Sequence, residues 1–159
     1  MLEGNKCSKK YGLQMNVRKT KVMIISPDGP KDVDVIADGE KLEQVLAFQY
    51  LGSRITCDGS STSDIRQCLA MATTALRSLQ PLWKGQDKAT ILQVLCSCVF
   101  PVATYGCESW TLKASDPARI QAFDHKCYRR VLRIPWVRKR TNASVRREME
   151  VPEDSFPIT

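Results

Sequence analysis

The chain has 159 residues, of which 43% are hydrophobic and 26% are charged, so wholesale disorder is excluded and one domain or two small ones are expected. Its 24 Lys and Arg residues against 17 Asp and Glu residues give a net charge of +7, which favours an anionic partner, nucleic acid ahead of a membrane surface. The only histidine, His125, excludes a zinc site built from three histidines.

The first 60 residues follow the two-residue period that is typical of β-strands, after one short leading helix. Each predicted strand ends at Gly, Pro, Asp or Ser residues that favour turns, and Asp38-Gly39 favours a hairpin turn with positive φ. The predicted strands cover residues 20–26, 33–37, 42–45 and 48–56. We therefore expect a small antiparallel sheet of about three or four strands.

From residue 62 the apolar residues recur every three or four positions, which predicts helices. The predicted helices begin near residues 62, 87, 116 and 142. The second places Leu95, Cys98 and Val99 on its apolar face and is bent or ended by Pro101, and the third runs to Ile134 before Pro135. The fold class is therefore α+β: a small antiparallel sheet followed by a bundle of three to four helices, with a frayed tail over residues 151–159.

The positive charge is concentrated in one segment. Residues 113–147 hold eleven basic and two acidic residues, a net charge of +9, so the rest of the chain has −2. On the third predicted helix the spacing places Lys126, Arg130 and Arg133 on one side, and Arg138-Lys139-Arg140 extend this patch. These side chains, with Arg129, predict a surface that binds phosphates; the alternative is a solvated helix face.

Seven cysteines, an odd number, argue against a disulfide framework, and residues 1–10 are polar with no apolar signal segment. The most apolar stretch, residues 91–105, is too short to cross a bilayer. We therefore expect reduced thiols in an intracellular protein, in the nucleus or a cytoplasmic ribonucleoprotein, without contact to a membrane. Zinc binding by Cys96, Cys98, Cys107, His125 and Cys127 is disfavoured because neither short pair has the spacing of a zinc knuckle, and no metal site is predicted.

Four segments in order match a family pattern. Residues 12–23 match G-L-x-x-N-x-x-K-T-K-x-M, residues 48–52 match F-x-Y-L-G, and residues 105–110 match Y-G-x-E-x-W. Residues 127–136 match C-x-R-R-x-L-x-I-x-W and are followed by Thr141-Asn142. Together they resemble the C-terminal part of the endonuclease/reverse transcriptase of non-LTR (LINE-type) retrotransposons, from palm motif D through motif E into the helical region beyond.

The resemblance implies a division of the chain. Residues 1–60 would be a partial palm with motif D and a primer-grip-like hairpin, residues 61–112 thumb-like helices, residues 113–150 a basic helical segment and residues 151–159 the tail. Lys19, and less so Lys21, would lie near the triphosphate, although either could merely end an exposed strand. Tyr50, Leu51 and Gly52 would support the primer strand, with core packing as the alternative for Tyr50.

The resemblance also implies what this chain lacks. In the family, two Mg²⁺ ions are held by aspartates of motif A and of an F/Y-A-D-D segment, both of which precede motif D. No Asp-Asp pair occurs in this sequence, and Asp32 and Asp34 read as a hairpin edge rather than a metal site. We expect this chain alone to be inactive and to need no cofactor, its partners being an RNA template and DNA primer duplex and the finger, palm and endonuclease portions of the parent.

Three functional hypotheses follow. The chain is a fragment of a reverse transcriptase that keeps the elements gripping template and primer, a stand-alone helical nucleic-acid-binding module, or a decayed transposon reading frame without a selected function. Base stacking by tryptophan would support the first two. Trp83 continues an apolar stripe and is expected in the core, Trp110 is a weaker stacking candidate, and Trp136 beside the basic run is the best one.

Overall fold

The computed structural model describes residues 7, 9–26, 29–135 and 137–151. The chain divides into two compact units, Met1–Ser60 and Ser61–Thr159. Short strands occupy the first unit and helices the second, so the α+β class and the order of its two parts are confirmed. The predicted tail at 152–159 and the turn residues Pro27 and Asp28 lie outside the described part of the chain.

The strands of the first unit are two to four residues long. They are β1 (Lys21–Val22), β2 (Ile36–Ala37), β3 (Glu40–Lys41), β4 (Glu43–Gln44), β5 (Ala47–Tyr50) and β6 (Ser53–Thr56). They form separate two-stranded ladders, β2 with β3 and β5 with β6 antiparallel, and β1 with β4 parallel. The pairing thus differs from one antiparallel sheet, because such short strands expose too few backbone groups to join several partners.

Both hairpins turn through residues with positive φ. The predicted Asp38-Gly39 turn is confirmed, with φ of 51° and 85°. The single strand predicted over residues 48–56 is instead a hairpin, because Leu51 and Gly52 have φ of 48° and 91° and reverse the chain between β5 and β6. Leucine rarely adopts this conformation, so the tip is strained at Leu51.

The first unit buries little apolar surface. Among its described residues, Ala37 and Leu42 are the buried hydrophobic ones. The large hydrophobic side chains that it exposes are those of Tyr11, Leu13, Ile25, Val33, Ile36, Leu46, Phe48, Tyr50, Leu51 and Ile55. This unit therefore has only a small core of its own.

The second unit is helical. Its elements are α1 (Thr62–Leu79), a 3₁₀ turn (Gln80–Trp83), α2 (Lys88–Val94), a π turn (Leu95–Val99), α3 (Phe100–Ala103), a 3₁₀ turn (Cys107–Ser109), α4 (Asp116–Val131) and α5 (Asn142–Glu148). Two predicted starts are capped by side chains: Asp87 accepts from the Thr90 backbone N–H at 3.1 Å, and Thr141 accepts from that of Ser144 at 3.2 Å.

The π turn lets one continuous helical segment pass through Pro101. Proline has no backbone N–H to donate, and at Phe100 the N–H reaches back five residues to the Leu95 carbonyl. The wider turn also changes the helical phase. Leu95 and Val99 are therefore buried while Cys98 is exposed, so its predicted place on the apolar face is wrong.

One hydrophobic core joins the helices of the second unit. Trp83 lies in this core, as predicted, and so does Cys127. The rings of Phe100 and Tyr128 meet edge to face with centroids 6.3 Å apart and planes at 89°. The other buried members are Ile65, Leu69, Ala72, Leu76, Ile91, Leu95, Val99, Ala103, Ile120, Phe123, Val145 and Met149.

Helix α4 ends one turn earlier than predicted. Arg133 adopts φ of 52°, its N–H donates to the Arg130 carbonyl at 3.2 Å, and the Ile134 N–H donates to the Arg129 carbonyl at 2.9 Å. This is a Schellman motif, and Pro135 disfavours helical backbone at the residue before it. Arg133 therefore does not continue the helix face that holds Lys126 and Arg130.

Glycine at position 133 should stabilise the helical unit. Arg133→Gly removes the side chain that makes φ of 52° unfavourable, so the free energy of unfolding should rise by about 1 kcal/mol. Urea denaturation followed by circular dichroism measures this. Arg133→Ala, which removes the same charge but keeps the strain, is the matched control; an equal or larger gain with alanine would contradict the assignment.

Candidate nucleic-acid interface

A buried carboxylate holds the start of α4 against the start of α1. Asp116 is fully buried and accepts from the Thr62 hydroxyl at 3.1 and 3.3 Å, from the Lys113 backbone N–H at 3.0 Å and from the Arg119 guanidinium at 2.9 Å. The helix start predicted near residue 116 is confirmed, with Ser115 preceding the helix and Asp116 as its first residue. Its side chain fixes two helices rather than one.

The segment before α4 is held to the same end of α1. The Trp110 indole N–H donates to the Asp64 carboxylate at 2.9 Å, and the Thr111 backbone N–H donates to the Ser61 hydroxyl at 2.9 Å. Trp110 is half-buried and packs against the hydrophobic core. Trp136, the best stacking candidate from sequence, lies outside the described residues.

Two adjoining concave surfaces lie along α4. The α4 cavity, of about 680 Å³, is lined by Ala122, His125, Lys126, Arg129, Arg130, Ile134 and Asn142. The α1–α4 groove, of about 310 Å³, is lined by Arg66, Leu69, Ala70, Thr73, Arg119, Ala122, Phe123 and Lys126. They share Ala122 and Lys126, and their linings combine five basic residues with no Asp or Glu. Such a surface attracts anions.

Lys126 and Arg130 are the predicted residues best placed to meet an anion there. Lys126 is exposed, and its Nζ lies 3.4 Å from the Thr73 hydroxyl. Arg130 is half-buried, and its Nε donates to the Gln80 side-chain oxygen at 3.3 Å. Both partners are neutral, so the two positive charges stay uncompensated by these bonds and can pair with phosphates.

Arg129 and Arg140 are bound within the protein. Arg129 Nη2 donates to the Arg140 carbonyl at 2.5 Å and to Asn142 Oδ1 at 3.1 Å. Arg140 pairs with Glu148 at 2.5 Å and donates from Nε to the Ser144 hydroxyl at 3.2 Å. The structure thus brings the Arg-Arg and Thr-Asn motifs together, and it gives these two arginines a role in holding α5 to α4.

Arg133, Arg138 and Lys139 are exposed in the connection that follows α4. Among the described residues, their side chains make no hydrogen bond or ion pair. Arg66, on α1, lines the α1–α4 groove but was not singled out from sequence. It is exposed on the same helix face as Ala70 and Thr73, at spacings of four and three, and that pattern was the available signal.

A group of buried polar residues lies behind the cavity. Asp124 pairs with Arg146 of α5 at 3.3 Å, and burial raises the pKa of its carboxyl above 3.8 while the Tyr128 hydroxyl and Arg146 oppose this rise. His125 is 7% exposed, and burial lowers the pKa of its imidazole below 6.5 while Asp124 opposes this fall. The imidazole is therefore neutral at physiological pH.

The helical unit should lose stability as pH falls below about 6.5. Because the pKa of His125 is lowered in the folded protein, the unfolded chain takes up a proton at a higher pH than the folded one. The stability that the neutral imidazole contributes is therefore complete above the pKa of the unfolded state and is lost as the pH falls below it. The raised pKa of Asp124 has the opposite effect on stability as the pH falls. Urea midpoints at about pH 7.5 and about pH 5.5 measure the effect, and His125→Gln should reduce it. An unchanged pH dependence in that variant would contradict the assignment.

The first unit places the remaining predicted residues at its surface. Lys19 is exposed in a turn, where its backbone N–H donates to the Asn16 side-chain oxygen. Lys21 Nζ pairs with Glu43 on the neighbouring strand at 3.1 Å. Tyr50 is 58% and Leu51 77% exposed at the β5–β6 hairpin, so core packing of Tyr50 is wrong. Gly52 forms the turn beside them.

No group of three His, Cys, Asp or Glu side chains that could hold a metal ion occurs among the described residues. Cys96 and Cys98 are exposed, whereas burial raises the pKa of Cys127 to about 12 and that of Cys68 to about 11, so the buried thiols are protonated. Asp34 pairs with Lys41, whose pKa is raised by that contact. Asp32 and Asp34 are both exposed.

Within the described ranges, no helix is both long and apolar enough to cross a membrane. No protein-family model matches the chain, and no solved structure matches it. A putative uncharacterized transposon-derived protein of Caenorhabditis elegans is 26% identical over 149 residues, which cover 92% of the chain and 53% of that protein. The chain is similar to a transposon-derived protein. It spans about half of that protein's length.

Proposed function

We propose that the chain comes from a non-LTR retrotransposon and that its helical unit grips the sugar–phosphate backbone of a template–primer duplex. The transposon-derived relative and the four motifs support the origin. One observation supports the binding role above the others: the α4 cavity and the α1–α4 groove adjoin, and five basic residues and no acidic ones line them. Among the described residues, Arg119 is the one of these five that is paired with a carboxylate. Cations in this arrangement displace condensed counterions from phosphates.

Lys126 and Arg130 are the proposed primary phosphate ligands. They are four residues apart on α4, which places their side chains on one face about 6 Å apart at Cβ. Arg66, on α1, lines the α1–α4 groove together with Lys126 and adds a third positive charge. Contacts of this kind position a duplex and read no bases, so binding should be insensitive to sequence.

The polymerase chemistry of the proposed parent would reside outside this chain. The two Mg²⁺ ions of such an enzyme need clustered carboxylates, and the described residues do not supply them. The chain alone is therefore proposed to bind template and primer without extending the primer, with the remaining finger, palm and endonuclease portions as its partners. Lys19 and the strained, exposed Leu51 hairpin would contribute further nucleic-acid contacts when the palm is whole.

Binding of the full chain to an RNA–DNA duplex, measured by fluorescence anisotropy between about 50 and about 200 mM salt, tests this role. The logarithm of affinity should fall steeply with the logarithm of salt concentration. Lys126→Ala/Arg130→Ala should reduce that slope by about 2, because two phosphate contacts are lost. Arg77→Ala/Lys84→Ala removes two exposed charges outside the two surfaces and is the matched control. Equal loss of slope in both double variants would overturn the assignment.

A decayed reading frame is the second candidate. The apolar side chains exposed by the first unit favour it over a stand-alone binding module, because an independent protein would cover them. Binding to the duplex that is weak and independent of salt would support this candidate over the first.

A further inference from the structure

We propose that the α4 cavity binds one unpaired nucleotide of a single strand, an inference that rests on the proposed nucleic-acid role of the helical unit. The cavity of about 680 Å³ lies within the range of small-ligand sites. A base-paired duplex is wider than the ~12 Å major groove that it contains, so it can meet only the rim of this cavity, whereas a single nucleotide can enter.

The lining divides into a part suited to phosphate and a part suited to a base. Lys126 and Arg130 supply the charge, since Arg129 is already bound to the Arg140 carbonyl and Asn142. Ile134 and Ala122 supply apolar surface. A site for phosphate alone would not need apolar surface. The flat faces of a nucleobase can pack against it, so this part of the lining suits a base.

His125 contributes an aromatic ring to the lining. Its imidazole borders the cavity and is more than nine-tenths buried. Nδ1 has no hydrogen-bond partner among the described residues, but it is enclosed by the protein and is not a contact for a ligand. A neutral imidazole can stack on a base, and the Asn142 amide nitrogen can donate to a base edge.

The test compares three probes of about twelve residues each: single-stranded oligothymidine, the same deoxyribose-phosphate chain without bases, and a duplex. The first two have equal backbone charge, so their difference reports the base. Oligothymidine should bind the full chain at least about tenfold more tightly than the abasic strand. Equal affinity of these two strands, with salt-dependent duplex binding intact, would overturn the nucleotide site and leave the proposed function standing.

Ala122→Leu places a larger side chain in the cavity at an exposed helical position. It should remove the preference for oligothymidine over the abasic strand. Ala118→Leu, also exposed on α4 but outside both surfaces, should leave the preference intact. If both variants keep the preference, the base binds elsewhere and the inference fails. If no probe binds the unsubstituted chain, the proposed function fails as well.

Discussion

Asp116→Ala should lower the free energy of unfolding of the helical unit by about 3 kcal/mol. The carboxylate is fully buried and accepts hydrogen bonds from Thr62, Lys113 and Arg119. Alanine leaves these donors without their acceptor and the Arg119 cation, only 32% exposed, without its counter-charge. The starts of α1 and α4 would then lose their common attachment point.

Chemical denaturation of the full chain measures this loss. Asp116→Asn keeps the volume but cannot hold the same set of donors, so it should fall between the native protein and alanine. Asp87→Ala is the control, because Asp87 is an exposed helix cap whose loss should cost much less stability. Equal effects at positions 116 and 87 would contradict a special role for the buried carboxylate.

Arg129→Ala and Arg130→Ala should have opposite profiles although the residues are neighbours. Arg129 is bound to Arg140 and Asn142, so its loss should reduce stability by about 2 kcal/mol. Arg130 lines the cavity and, among the described residues, its side chain hydrogen-bonds to Gln80 alone, so its loss should leave stability within about 0.5 kcal/mol. The affinity of the Arg130→Ala variant for the duplex should be several-fold lower than that of the native protein at low salt.

Paired urea denaturation and anisotropy titrations separate the two effects. Arg129→Lys is informative because lysine keeps the charge but cannot reproduce the forked contact with a carbonyl and an amide. It should therefore lose most of the stability that alanine loses. A lysine variant as stable as the native protein would mean that charge alone matters at position 129, and the proposed division of labour would be wrong.

Periodicity predicted the helices well and the strand pairing poorly. The helix start at Thr62 and the capped starts after Asp87 and Thr141 follow from local signals, which act within one turn. The parallel pairing of Lys21 with Glu43 joins residues far apart in sequence. Strands of two residues are too short to show an alternating pattern from which this pairing could be predicted. The end of α4 was missed because Arg133, not glycine, takes the left-handed position.

The candidate site was partly predictable for the same reason. Lys126 and Arg130 share a helix face, and spacing alone brings them together. Arg66 joins them only through the packing of α1 on α4, which no local pattern contains. Arg129 is the opposite case. The basic segment around it predicted that it would bind phosphate, whereas the structure shows it bound to Arg140 and Asn142. These partners follow a turn whose geometry the sequence does not specify.

The thiols of the helical unit differ in their access to electrophiles. Cys96 and Cys98, both in the wide turn at Leu95–Val99, are open to alkylating reagents, and Cys107 is half-buried. Cys68 and Cys127 are buried and protonated, so they become available only when the unit unfolds. A fluorophore attached to either exposed thiol would leave the packing around Phe100 and Tyr128 undisturbed, because neither Cys96 nor Cys98 belongs to the core.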